Sequence, residues 1–279
     1  MKNQYFADIN DYLKYGILRA IANSKLKICL CWMLTEDDNR NDGGKIQYLQ
    51  DTDKWRKYDP ALFDVMKWSI EKNKRSIDVA EKKYLIPDAT YHPTLLTDDR
   101  NEREQYFKEL TDISAASDLI FFDTDNGMEV KSVKKGNKNS SKYLYWDEVE
   151  RFADTHSILV FQYFPRTNKE EFVEGISQRL KAVSYSTSVT VLITSHIGFF
   201  LVMHPLHEGR LNEACRKGIK HWYPHIRIHP AERRRPPVLP EVEGARKRLA
   251  GAERLAKILK RFNLISNAFM LEKSWKFVY

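Results

Sequence analysis

Residues 118–132 read DLIFFDTDNGMEVKS. An unbroken apolar run, Leu119-Ile120-Phe121-Phe122, stops at Asp123, and Asp125, Asn126, Gly127, Glu129 and Lys131 follow closely. In open parallel sheets, ligands bind beyond the carboxyl ends of the strands. Asp123 stands where that rule places a site, and Gly127 gives the turn backbone freedom. Three chemistries suit the group. A carboxylate could accept hydrogen bonds from a ligand amine, in a nucleotide or cofactor site. Asp123 and Asp125 could hold Mg²⁺ through hard oxygen ligands, as in a metal-dependent phosphohydrolase. Asp123, Glu129 and Lys131 could form a nuclease-type acidic pair with a lysine, although the separation is short for two different strands. The bland alternative is a polar turn after a strand.

A second group lies just downstream. Lys131, Lys134, Lys135, Lys138 and Lys142 fall within twelve residues, with Tyr143, Tyr145 and Trp146 after them. Cations interleaved with aromatics suit a phosphate backbone and unstacked bases; a solvated loop is the plain alternative. Gln162 and Arg166, at the end of another apolar run, could line the same edge. His92, His196, His204 and His207 have no standard metal spacing, and His204, His207 and Glu208 read as surface loop residues. Cys29, Cys31 and Cys215 form no disulfide framework, which points to reduced thiols and a cytoplasmic protein.

These residues need a scaffold. Residues 9–22 predict a helix capped by Asn10 or Asp11, with Leu13, Ile17 and Ile21 on one face. Residues 27–34 predict a buried strand, and 35–45 a turn-rich loop. Asp59-Pro60 starts a helix with Phe63, Met66 and Ile70 inward. A helix over 101–110 precedes the strand ending at Phe122. A strand over 156–164 and a helix over 168–182, on Phe172, Ile176 and Leu180, come next. Residues 189–205 predict two strands joined by a tight turn, then a helix with Leu211, Cys215, Ile219 and Trp222 on one face. Strands alternating with helices imply a three-layer α/β domain over residues 1–228: a mostly parallel sheet closed by an antiparallel hairpin. No apolar run is long enough to predict a membrane helix, and the first residues do not read as a signal peptide.

Net charge is +8 over 279 residues, and residues 231–279 hold 12 Lys+Arg against 5 Asp+Glu. The positive excess therefore sits in a tail, over 229–279, that reads as a proline-containing linker followed by a basic helix. Such a tail suits a phosphate-rich partner.

The order of features resembles the class I S-adenosylmethionine-dependent methyltransferases, and within them the bacterial large-subunit rRNA adenine methyltransferase family known as RlmJ. The likeness is carried by YFADINDYLKYGILRAI near the start, FFDTDN at the central strand, and GFFLVMHPLHEGRLNEACRKGIKHW near the end. It implies a methyltransferase-like Rossmann topology and S-adenosylmethionine as cofactor. It sets Asp11, Lys14 and Tyr15 near the cofactor, and Gly43 and Gly44, in Asp42-Gly43-Gly44-Lys45, stand in for the family's glycine-rich loop. The family's amine-methylating motif, Asp/Asn-Pro-Pro-aromatic, becomes Asp123-Thr124-Asp125-Asn126. Asp123 keeps the acceptor role, while the prolines and the stacking ring are replaced. The expectation is a nucleic-acid-modifying enzyme with Asp123, Asp125 and Asn126 as catalytic candidates. The alternatives are a Mg²⁺-dependent phosphohydrolase or nuclease, and a non-catalytic nucleic-acid-binding protein.

Overall fold

A computed structural model of the chain describes residues 1–37, 43–184 and 187–230. Asp42 and the basic segment from 231 onward lie outside the described residues. Seven strands form one sheet: β1 (Ile28–Cys31), β2 (Thr90–His92), β3 (Leu119–Phe122), β6 (Ser157–Tyr163), β7 (Ser188–Ile193), β8 (Ile197–Met203) and β9 (Arg227–Pro230). Two short strands, β4 (Gly127–Met128) and β5 (Tyr143–Leu144), pair separately. The sheet order is β2-β1-β3-β6-β8-β7-β9. β2, β1, β3 and β6 are parallel neighbours, β8 is antiparallel to both β6 and β7, and β9 is antiparallel to β7. The carboxyl ends of β1, β3, β6 and β7 therefore share one edge. This is the expected Rossmann-like α/β fold with its reversed hairpin.

Both faces of the sheet are covered, because the central strands are apolar throughout and alternate between two cores. Leu119 and Phe121 of β3 face the core under α1 (Ile9–Ala22) and α3 (Pro60–Glu71). Ile120 and Phe122 face the core under α5 (Arg100–Ser114), α6 (Trp146–Ala153) and α7 (Lys169–Val183). Two short helices, α2 (Thr52–Trp55) and α4 (Asp78–Lys82), connect elements on the first side. After β8, α8 (Pro205–Glu213) runs into a π-helical turn (Ala214–Ile219) and a 3₁₀ turn (Lys220–Trp222), and together they bury Leu211, Cys215, Ile219 and Trp222, as the periodicity predicts. Trp222 lies so close to α1 that a Cβ on Gly16 would fall 2.3 Å from its ring, so only glycine fits there.

Three local expectations change. Asp8, not Asn10 or Asp11, caps α1, its side chain accepting from the Asn10 amide. Asp11 is thereby placed inside the helix and turned towards the sheet edge. In α7 the inward stripe is Val173, Ser177 and Leu180, with Phe172 and Ile176 only partly buried. Phe172 instead meets Phe164 edge-on at 6.3 Å beyond the strand ends. Finally, the lysine-rich segment expected as a loop carries β5 and leads into α6. All three cysteines are buried and unbridged, and burial pushes the Cys29 thiol up to about 11.

Candidate active site

A cavity of ≈ 380 Å³ opens beyond the carboxyl ends of β3 and β6, against the first half of α1. Its wall brings together Asp11 and Lys14 from α1, Asp123, Thr124, Asp125 and Asn126 from the turn after β3, and Phe161 and Tyr163 from β6. Six of the site candidates singled out in the sequence, Asp11, Lys14, Gly43, Asp123, Asp125 and Asn126, meet here from three separate segments.

Lys14 organises the floor. Its Nζ lies 2.7 Å from Asp11 Oδ1 and 2.7 Å from Asp123 Oδ2, and its side chain is 1% exposed. The i, i+3 spacing on α1 sets Asp11 and Lys14 on one face; the parallel β1–β3 pairing brings Asp123 opposite. One cation thus serves two buried carboxylates. Asp11 is the less compensated of the two: its Oδ2 is buried without a hydrogen-bond partner. Burial pushes the Asp11 carboxyl up to about 7, with Lys14 opposing and Asp123 adding to the rise. Desolvation works against the Lys14 ammonium, but Asp11 and Asp123 more than offset it and hold Lys14 above its ordinary value.

The turn after β3 is held from several sides. Thr124 Oγ1 donates to the Phe161 carbonyl at 2.8 Å. Asp125 Oδ2 accepts from Thr35 Oγ1 at 2.7 Å, and its Oδ1 lies 2.6 Å from the Met1 ammonium. The Asn126 amide nitrogen donates to the Lys142 carbonyl, and Gln162 Nε2 donates to the Asn126 carbonyl. Gln162 Oε1 also accepts from the Met128 N–H at 2.7 Å. Gly127, with φ +112°, lets the chain pass over Gln162. Asn126 is thereby fixed by its backbone; it lines the cavity, and its side-chain amide bonds no described residue.

The wall is acidic. Asp8, Asp11, Asp123 and Asp125 line it, against Lys14, Lys45 and the Met1 ammonium. A carboxylate with an unpaired buried oxygen in such a wall favours a ligand carrying positive charge or N–H donors.

Other candidates fall elsewhere. Tyr15 is fully buried behind the cavity, packed on Phe6 and Trp32. Gly43 lines the cavity with φ +82°, against Tyr5; Gly44 does not line it. The end of β1, where the resemblance sets the glycine-rich loop, is closed by the chain itself. Trp32 Nε1 donates to Glu81, and the Met1 amine donates to the Met33 and Asp123 carbonyls at 3.0 and 3.1 Å. Lys131, Lys134 and Lys135 line a separate hollow with Glu129 and Arg179 on the far side of β4. Asp123, Glu129 and Lys131 are therefore not assembled into one nuclease-type site. Lys135 is paired with Asp147 at 2.5 Å and Glu148 at 3.0 Å. Lys138, Lys142 and Tyr143 line neither hollow; the Tyr143 carbonyl accepts from Arg103. His204 caps α8, and His207 lies 3.3 Å from Asp118, at the amino end of β3 and thus away from the cavity. Among the described residues no three His, Cys, Asp or Glu side chains are arranged to hold a metal ion. Asp8, Thr35, Phe161 and Tyr163 reach the site without a signal in the sequence beyond Asp8 standing one residue before a helix.

No family model and no curated protein matches the chain. Among solved structures, similarity is found to human Methyltransferase-like protein 13 in complex with SAH, at 13% identity over 81% of this chain and 94% of that one, with a TM-score of 0.28. No helix of the described residues is long and apolar enough to cross a membrane.

Proposed function

We propose that this chain is an S-adenosylmethionine-dependent methyltransferase acting on nucleic acid. The observation that carries the reading is the acidic cavity at the carboxyl ends of β3 and β6, with Asp11 Oδ2 unpaired in its wall. S-adenosylmethionine is a sulfonium and carries an ammonium group, so an acidic wall suits it. A nucleotide polyphosphate would be repelled by the same wall. The cavity volume falls within the range of small-ligand sites. Asp11 would face the positive end of the cofactor, and Tyr5, Phe161 and Tyr163 would supply flat apolar wall for its ring system. When bound, the cofactor supplies an activated methyl group.

The chain's own residues would orient the acceptor. Lys14 holds Asp123 in one rotamer, so Asp123 acts mainly as a fixed anchor. The Asn126 side-chain oxygen is free to accept a hydrogen bond from a target N–H, and the Gln162 and Lys142 contacts hold it in place. Replacement of the family's prolines by Thr124 and Asp125 leaves the turn ordered, because the Thr124–Phe161 and Asp125–Thr35 bonds perform that task.

Isothermal titration calorimetry at pH 8 tests the reading. S-adenosylmethionine should bind more tightly than S-adenosylhomocysteine, which lacks the sulfonium charge, and Asp11→Asn should erase most of that preference. Absence of binding by both compounds sinks the proposal. Turnover that requires Mg²⁺ and is lost in Asp125→Asn would select the phosphohydrolase instead.

A further inference from the structure

A second hollow, of ≈ 620 Å³, opens at the carboxyl end of β7 and shares Asn10 and Lys45 with the acidic cavity. Its character is the opposite. Lys45, His196, His225 and Arg227 line it together with Trp55 and Tyr223, and no acidic side chain is among its described lining residues. Lys45 and Arg227 make no ion pair with a described carboxylate. Desolvation, and then Arg227, hold Lys169 below its ordinary value; desolvation, Lys54 and Lys57 do the same to His225. An anion placed here would meet cations that pair with no described carboxylate.

The hollow also offers flat surfaces. The Tyr223 residue is 68% exposed, and its ring meets no other described aromatic ring. His225 lies on Trp55 with ring centroids 4.1 Å apart. Exposed rings beside cations that pair with no described carboxylate suit unstacked bases on a phosphodiester backbone. By contrast, the hollow beside Lys131 and Lys134 contains Glu104, Glu129, Asp147 and Glu148, and Lys135 is already paired there. The lysine-rich segment that attracts notice in the sequence is thus the poorer phosphate site.

We propose that the hollow at the end of β7 seats a single-stranded polynucleotide, Tyr223 stacking on a base and Lys45 and Arg227 meeting phosphates on either side. The shared Asn10 and Lys45 then lead the adjoining nucleotide into the acidic cavity. This rests on the methyltransferase reading for its purpose, but strand binding is measured without any cofactor.

The test is fluorescence anisotropy with the full chain and labelled single-stranded RNA and DNA of one mixed sequence, about 12 nucleotides long. Tyr223→Ala should weaken binding by about 5- to 150-fold, the loss of one base stack. Lys45→Gln with Arg227→Gln should flatten the logarithmic salt dependence by about 1.4, two single-strand phosphate contacts. Tyr223 is exposed, so its variant should keep the wild-type melting temperature and bind S-adenosylmethionine as before. Dependence on these residues with either polymer supports the proposal, and the preferred polymer names the substrate backbone. Three results overturn it: neither polymer binds at low salt; the variants bind like wild type; or Lys131→Gln with Lys134→Gln flattens the salt dependence while the first pair does not. Failure of S-adenosylmethionine to bind would sink the methyltransferase reading alone.

Discussion

Asp11→Asn should make the protein more stable at neutral pH, and the gain should depend on pH in a defined way. Asp11 is 4% exposed, and burial raises its carboxyl to about 7. In the unfolded chain an aspartate titrates near 3.9. Below about pH 4 both states hold the proton, so Asp11 does not alter stability with pH. Between about 4 and about 7 the unfolded chain releases the proton while the folded chain keeps it. Stability therefore falls as pH rises, by up to about 1.4 kcal/mol per pH unit, or about 4 kcal/mol over the interval. Above about 7 both states are ionised and the slope ends. Asn mimics the protonated carboxyl in shape and lacks the charge. The variant should match wild type near pH 4 and exceed it by up to about 4 kcal/mol at pH 8. Urea unfolding of both proteins at pH 5, 6, 7 and 8 gives the difference curve, in which the titrating groups not coupled to Asp11 cancel. Parallel curves, or a variant less stable at pH 8, would refute the claim that Asp11 is an under-compensated buried charge.

Lys14→Met should lower stability by about 3–5 kcal/mol at pH 8, because it strands Asp11 and Asp123 without their cation; a change below about 1 kcal/mol would mean that the three groups are not buried together in solution. Arg103→Ala should cost a similar amount, about 3–5 kcal/mol by thermal unfolding, since Arg103 bonds Glu148 through Nε at 2.7 Å and Nη2 at 2.8 Å in the core. Arg103→Lys should recover only part of it, as a lysine cannot reproduce the two parallel bonds. Gly127→Ala should destabilise by at least about 1–3 kcal/mol, because φ is +112° and a Cβ would fall 2.1 Å from Gln162 Oε1; cavity ligands should bind more weakly as Asn126 shifts. S-adenosylmethionine affinity should rise with pH through about 7 as Asp11 ionises, and calorimetry in two buffers of different ionisation heat should detect a proton released on binding below that pH.

The scaffold was written locally. Leu119–Phe122, Ile28–Cys31 and the 157–163 run are apolar on both faces, which commits them to a sheet covered on both sides. Asp59-Pro60 fixes where α3 begins. The face of Leu211, Cys215, Ile219 and Trp222 is visible in its spacing, and so is the abrupt stop at Asp123. The edge strands β2 and β9 were not legible, because three or four residues with exposed or polar members leave no periodic signal. What the site does with its residues was decided only by tertiary structure. The sequence offers Asp11, Lys14 and Asp123 as three separate charges. Sheet order and helix placement join them through one Nζ; the burial that comes with this placement raises the Asp11 carboxyl towards neutrality against the pull of Lys14, and the Lys14 bond makes Asp123 an anchor. The same holds for the cations. Lys131 to Lys142 stand out as a run, yet the fold sets carboxylates in the hollow lined by Lys131, Lys134 and Lys135, while Lys45 and Arg227, isolated in sequence, are brought together with Tyr223 in a hollow with no acid among its described lining residues. Periodicity records which face of an element is buried; the state of a charge depends on what the rest of the chain sets against it.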